Sequence, residues 1–237
     1  MSMDIAVAFK KYVKNIKLVF ATSLLFIFTL FLVNPLFSLS GGSINLTYEL
    51  LNQDPLIIIL TLIAFIAIIF AYTLFQTIIV FKMGREYDFD NKNSREIKRP
   101  FIELLKFNVS FFLLLFIALC ILFDFGIVNN IFVNIILFVI TLLFWFIPQI
   151  IVIEKQSAEY SIVLNINYIK KKPVYFVYLF VTVFILTLLT YIIDVIFGVF
   201  AGPIIATVFF VMFVIPFIEI LKTEVYLGKY DLLKPFK

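Results

Sequence analysis

The chain has 237 residues, of which 64% are hydrophobic and 14% charged, with 32 Phe and no His. Soluble domains run at about 45–50% apolar and about 25% charged, so a chain with a mean hydropathy of +1.15 cannot cover itself with polar surface in water. The missing histidine removes the commonest general base and metal ligand, and the single Cys120 excludes an intramolecular disulfide, a thiolate zinc site and an iron–sulfur cluster.

The first element is a short basic stretch. Ile5, Phe9, Tyr12 and Ile16 recur at helical spacing while Lys10, Lys14 and Lys17 take another face. That pattern predicts a helix lying in the membrane interface with its lysines near anionic headgroups. An apolar segment of 20 residues follows, from Leu18 to Phe37. It exceeds the usual 7–15 residues of a cleavable signal and is therefore read as a span rather than a leader.

Charge then measures the remainder of the chain. Between Lys17 and Lys82 lie 64 residues whose only charges are Glu49 and Asp54. Between Lys106 and Glu154 lie 47 residues with Asp124 alone, and between Lys172 and Glu219 lie 46 with Asp194 alone. A spanning helix needs about 20 apolar residues, so each run must fold back on itself, and unpaired backbone is excluded from lipid. The prediction is an all-α integral membrane protein of six transmembrane helices, near 17–37, 56–81, 107–127, 130–153, 174–197 and 203–221. These form three hairpins, each preceded by a cytoplasmic interfacial amphipathic helix. Breakers suit the bends: Ser40-Gly-Gly-Ser43 opening a loop that runs to Pro55, Gly126 to Asn130, and Gly198 to Pro203.

Orientation follows from Lys and Arg. Four lie in 1–17, seven in 82–106, four in 154–172 and four in 222–237, which accounts for all 19. The three opposite loops hold only Glu49, Asp54, Asp124 and Asp194. The positive-inside rule places both termini in the cytoplasm of a multi-pass protein of the cell membrane. The pI of about 9.0 is a topology signal, and the dispersal of the basic residues speaks against nucleic acid.

The layout repeats. Basic stretches Phe9–Lys17, Phe101–Asn108 and Ile162–Pro173 each precede a pair of spans. The returning helices echo one another in Phe146-Ile-Pro148 and Val214-Ile-Pro216, and their ends in Gly84-Arg-Glu-Tyr-Asp88 and Gly228-Lys-Tyr-Asp231. The reading is a single polytopic domain over 1–237. Its pseudo-repeats fall at about 1–81, 94–153 and 157–221, with a cytoplasmic tail at 222–237. Ser157, ahead of Ala158-Glu159, is the expected N-cap of the third interfacial helix.

The opening Asp4-Ile-Ala-Val-Ala-Phe-Lys-Lys-Tyr-Val-Lys-Asn15, and Phe146-Ile-Pro-Gln-Ile-Ile-Val-Ile-Glu-Lys-Gln-Ser-Ala-Glu159, resemble a broad group of six-span prokaryotic membrane proteins. That group includes the membrane region of certain glycerophosphodiester phosphodiesterases. The resemblance spans the chain in layout, although its motifs are short, and it implies an all-helical membrane module. It does not import the phosphodiesterase activity, which belongs to a separate soluble barrel rich in His and metal-binding carboxylates.

Polar residues at membrane depth are the candidates for function. Gln76 and Gln149 lie deep, and Pro148 and Pro216 are placed to bend their helices and free backbone carbonyls. Glu219 sits near the inner end of the sixth helix, with Lys222 three residues on. Asp194, about 33 Å along its helix from Lys172, falls near the outer boundary; Asp124 is similar. The expected lipid-headgroup contacts, one per repeat, are Lys14, Lys106 and Lys170.

No catalytic signature is present and a Ser or Thr nucleophile would lack a histidine base, so the chain is read as a non-enzyme without metal or cofactor. The expected function is interaction with lipids or membrane partners, the bilayer first, with a membrane-protein partner or a second copy of the chain as further partners. The alternative is a small-solute or ion transporter using kinked helices four and six. An intramembrane enzyme ranks last. Asn45-Leu-Thr47 is a glycosylation sequon in the longest outer loop.

Overall fold

The computed structural model describes residues 2–33, 38–40, 43–45, 55–85, 97–124, 136, 139–171, 173–201 and 208–231. Among these the chain is helical apart from one small hairpin. In chain order the elements are α1 (Ser2–Lys14), α2 (Ile16–Val33), β1 (Ser38–Ser40), β2 (Ser43–Asn45), α3 (Pro55–Arg85) and α4 (Lys98–Asp124). A helical segment over 139–143 then leads into α5 (Ile147–Glu154), α6 (Ala158–Lys171) and α7 (Pro173–Ala201). A π-helical turn (Phe210–Val214) passes directly into α8 (Ile215–Asp231).

Over their described residues the six apolar segments are helical except for the turn at Phe144–Phe146. Two stretches, Ile63–Gly84 and Lys98–Ala118, are by themselves long and apolar enough to cross a membrane. Two bent pairs qualify if each is taken as one span: Ile5–Lys14 with Ile16–Thr29, at 80°, and Val139–Glu154 with Ala158–Lys171, at 120°. The chain is therefore an all-helical protein with two to four candidate membrane spans.

Three local features depart from the sequence reading. Ser38–Ser40 and Ser43–Asn45 pair antiparallel, Leu39 opposite Ile44, where a loop is expected, and Asn45 of the sequon lies on β2. The stretch Phe101–Asn108 is not a separate interfacial helix, since α4 runs unbroken from Lys98 to Asp124. Nothing between them breaks a helix: Pro100 falls in the first turn, where its missing N–H costs nothing, and no further Pro or Gly occurs before Asp124. Finally, α7 continues through Gly198 to Ala201. The bend expected at Gly126 to Asn130 lies outside the described residues.

By contrast, α1 and α2 are separate as predicted. Asn15, between them, donates from Nδ2 to the Lys11 carbonyl at 3.0 Å, competing for an acceptor of the last turn of α1. Between α5 and α6 the chain reverses at Lys155, which adopts the left-handed conformation (φ 54°) common at helix C-termini. Ser157 accepts from Tyr160 N at 3.4 Å, the N-cap contact expected from the sequence, and Glu103 of α4 accepts from Ala158 N at 3.2 Å.

Helices α5 and α8 and the second half of α3 are largely buried, whereas α4 beyond Asn108 and α7 are largely exposed or half-buried. Helix α3 packs against α2, α4, α5 and α8. Its Phe75, Ile79 and Met83 join Val19, Trp145, Phe146, Ile150, Ile220, Leu221 and Tyr226 in the main core. Helix α4 presents Leu113, Phe116, Ile117 and Ile121 outward, and α7 presents Val181, Phe184, Ile185 and Leu188. Apolar rows of that length are stable facing hydrocarbon and are costly facing water.

Candidate functional site

Two helix breaks position the site, and both stem from proline. Pro216 has no N–H to give the Met212 carbonyl one turn earlier, and at the π turn Ile215 N bonds back to the Phe210 carbonyl. The carbonyls of Val211 and Met212 are thereby freed. Side chains from the N-terminal helices take both: Ser23 Oγ donates to Val211 at 3.2 Å and Tyr12 Oη to Met212 at 2.9 Å.

Pro148 has the same effect in another geometry. The segment before it tightens, with Phe144 N, Trp145 N and Ile147 N each reaching back three residues, to Thr141, Leu142 and Phe144. That leaves the Leu143 carbonyl and the Phe146 N–H without helical partners. Asn165 of α6 satisfies both, donating to Leu143 O at 2.5 Å and accepting from Phe146 N at 3.1 Å. Pro148 therefore opens a new helix in its first turn instead of kinking a continuous one.

Between these breaks α3, α5 and α8 bring polar side chains together. Gln76 of α3 and Gln149 of α5, singled out from sequence for their depth, meet Glu219 of α8, singled out near the inner end of its helix, at the Glu219 carboxylate. Gln76 Nε2 donates to Oε1 at 3.0 Å, Gln149 Nε2 to Oε2 at 3.1 Å, and Lys222 Nζ to Oε1 at 2.8 Å. Glu219 and Lys222 are only 3% and 4% exposed. An unpartnered charge at such a place would cost several kcal/mol, so the ammonium and two amides are what permit a carboxylate there.

The network extends away from the carboxylate. Gln76 Nε2 also donates to Tyr72 Oη at 2.9 Å. Asn108 of α4 donates to Gln76 Oε1 at 3.1 Å and to Thr73 Oγ1 at 2.9 Å. The sequence reading omits Tyr72, Thr73 and Asn108. Asn108 was legible in principle, as a lone amide at the start of an apolar run. Tyr72 and Thr73 were not, because a Thr inside a helix more often bonds its own backbone, as Thr73 also does to Ile69 O at 2.7 Å.

A second polar layer lies toward the ends of the same helices. Lys11 pairs with Glu224 at 2.5 Å with both side chains largely buried, Tyr226 Oη donates to Glu154, and Tyr168 Oη donates to the Val225 carbonyl at 3.1 Å. Asp194 lies in α7 and Asp124 at the end of α4, and the side chains of both fall outside the described residues.

The three candidate headgroup lysines are exposed and do not meet one another. Lys14 closes α1, Lys170 lies in the last turn of α6, and Lys106 pairs with Glu103 at 2.8 Å on the surface of α4. Around α1 the residues form three stripes. Ala8 and Tyr12 are buried against the protein, Lys10 and Lys14 form a basic stripe, and Ile5, Phe9 and Val13 are exposed; Ile16 and Lys17, also exposed, already lie on α2. Helix α6 repeats the scheme, burying Ser161, Asn165 and Tyr168 while Tyr160, Val163 and Ile166 face outward.

No family model matches the chain, and neither a curated protein nor a solved structure is significantly similar to it.

Proposed function

We propose that the chain is a six-span integral membrane protein with both termini in the cytoplasm, and that it works without catalysis, through contact with lipids and membrane partners. The layout resembles that of the six-span prokaryotic group described above. The observation that carries the proposal is the three-striped α1. Its exposed apolar stripe (Phe9 is 60% exposed) lies beside a stripe of lysines on a helix turned 80° from α2. An amphipathic helix at the bilayer surface needs hydrocarbon under one stripe and anionic headgroups beside the other.

The test is native mass spectrometry of the purified protein with its co-extracted lipids. The wild type is expected to retain anionic over zwitterionic phospholipid, and Lys14→Gln, Lys106→Gln and Lys170→Gln combined to lose that preference. A wild type that retains no anionic lipid in preference refutes the reading. Accessibility of cysteines introduced at the two termini reports the topology independently.

Transport of a small solute is a second reading, favoured by one observation. The buried Glu219 cluster sits between two helix breaks, at Phe144–Phe146 and Phe210–Val214, an arrangement transporters use for binding. Flux into proteoliposomes abolished by Gln149→Ala or Glu219→Ala supports it over the first reading.

A further inference from the structure

The first two turns of α4 line an open cleft of about 440 Å³, walled by Lys98, Arg99, Ile102 and Glu103. Lys98 and Arg99 each stand one turn before Ile102 and Glu103, so the four are neighbours on the helix surface. Both cations are exposed, and neither makes an ion pair or a hydrogen bond among the described residues. The carboxylate of the cleft, by contrast, is taken at both oxygens. Glu103 Oε1 accepts from Lys106 Nζ at 2.8 Å and Oε2 from Ala158 N at 3.2 Å. Glu159 is the other acid near Lys106, so Lys98, Arg99 and Lys106 outnumber the carboxylates around the cleft.

An apolar stripe leads away from the cleft along the same helix. Ile102, Val109 and Leu113 fall within about 40° of one another around the helix axis, and all three are exposed. From Ile102 to Leu113 the helix rises about 16 Å, close to half of a hydrocarbon core about 30 Å thick.

These groups select a ligand by chemistry. A cation meets two like charges and a carboxylate with both oxygens occupied. A phosphate meets an ammonium and a guanidinium fork that matches two of its oxygens. A soluble phosphate leaves the stripe uncovered, whereas a phospholipid fills the cleft and covers the stripe together. We infer that the cleft at Lys98 and Arg99 binds the phosphate of an anionic phospholipid, with an acyl chain along Ile102, Val109 and Leu113. The inference rests on the lipid reading above and gives it one defined site. In it Lys106 serves by countering the charge of Glu103, and Lys98 and Arg99 hold the headgroup.

The experiment is a native mass spectrometry titration of the full chain in detergent with dioctanoyl phosphatidylglycerol. Each basic residue beside an anionic headgroup contributes about fivefold in affinity, so Lys98→Gln/Arg99→Gln should weaken binding about thirtyfold. Both side chains are exposed and unpaired, so the variant keeps its fold. Lys82→Gln/Lys171→Gln removes the same charge from exposed lysines outside the cleft and should change binding less than about threefold. Equal losses in the two double variants overturn the site and leave a diffuse attraction of lipid by the basic segments standing. A wild type that binds dioctanoyl phosphatidylcholine as well as the glycerol lipid overturns both readings. Val109→Ser/Leu113→Ser should weaken the lipid about tenfold, and an unchanged affinity refutes the acyl path. Inorganic phosphate at tenfold excess is expected not to displace the lipid; displacement assigns the cleft to free phosphate and overturns the lipid as its occupant.

Discussion

Asn165 provides the sharpest test of how the helix breaks are held. Its side chain bonds two backbone groups left free ahead of Pro148, the Leu143 carbonyl and the buried Phe146 N–H. Asn165→Leu keeps a similar volume and strands both. A buried backbone group without a partner costs about 1–3 kcal/mol, so the loss should be about 2–6 kcal/mol. Pro148→Ala restores the N–H that a continuous helix needs, and lets residues 146 and 147 return to Leu142 and Leu143. The double variant Asn165→Leu/Pro148→Ala should therefore lose less than the sum of the two single variants, by at least about 1 kcal/mol. Trp145, the single tryptophan, lies beside the break and is buried, so its fluorescence during denaturant unfolding in mixed micelles reports the transition. Additive losses, or a loss below about 0.5 kcal/mol for Asn165→Leu, would show that the break does not depend on this clamp.

The same logic at the other break predicts that Tyr12→Phe costs about 1–3 kcal/mol through the Met212 carbonyl, and that Pro216→Ala recovers part of it in the same unfolding assay. For the largely buried Lys11–Glu224 pair, Lys11→Met alone should destabilise by about 3–5 kcal/mol, while Lys11→Met with Glu224→Leu should come close to wild type. A single variant as stable as the double one would contradict a buried, coupled pair. The two glycines that echo each other in sequence should behave differently. A Cβ on Gly84 meets Ile153 Cγ1 at 3.2 Å, whereas one on Gly228 meets nothing within 4 Å. Gly228→Ala should thus gain about 0.5–1 kcal/mol of helix propensity, and Gly84→Val should lose stability; equal responses would refute the close approach of α3 and α5.

The helical character of the chain is legible in the sequence because it depends on long-wavelength signals. Forty-odd residues with a single charge among them leave few alternatives to apolar helix, and Gln76 and Gln149 stand out as polar residues inside such runs. Short-range detail is harder. Reading Ile5, Phe9, Tyr12 and Ile16 as one apolar face merges two stripes that sit side by side on the helix. The structure separates them, burying Tyr12 while Ile5 and Phe9 face outward, and places Ile16 beyond the bend on α2. A phenol serves either setting, and only the Met212 carbonyl, some 200 residues away, decides which. Asn165 and Ser161 are hidden for the same reason. On a basic amphipathic helix a polar residue reads as headgroup-facing, yet both are fully buried. What Asn165 bonds is a defect created by Pro148 in another helix, and no pattern within α6 encodes that.

The contacts among these helices follow a cyclic order. The start of α4 packs on α3, α6 packs on α5, and α1 packs on α8. The first two contacts join neighbours in sequence, whereas the third joins the two ends of the chain, through Tyr12 to Met212 and Lys11 to Glu224. In each case the first-named helix brings polar side chains to the second. Where that helix is broken by proline they bind freed backbone, as Tyr12 and Asn165 do. Where it is unbroken, as in α3, no backbone group is free, and Asn108 bonds Thr73 and Gln76 instead. A buried backbone group that loses its partner is costly, so α1 and α6 cannot leave the bundle without stranding the groups they hold. The exposed apolar residues of α1 and α6 thus lie on the same helices whose inner faces hold the breaks on either side of Glu219.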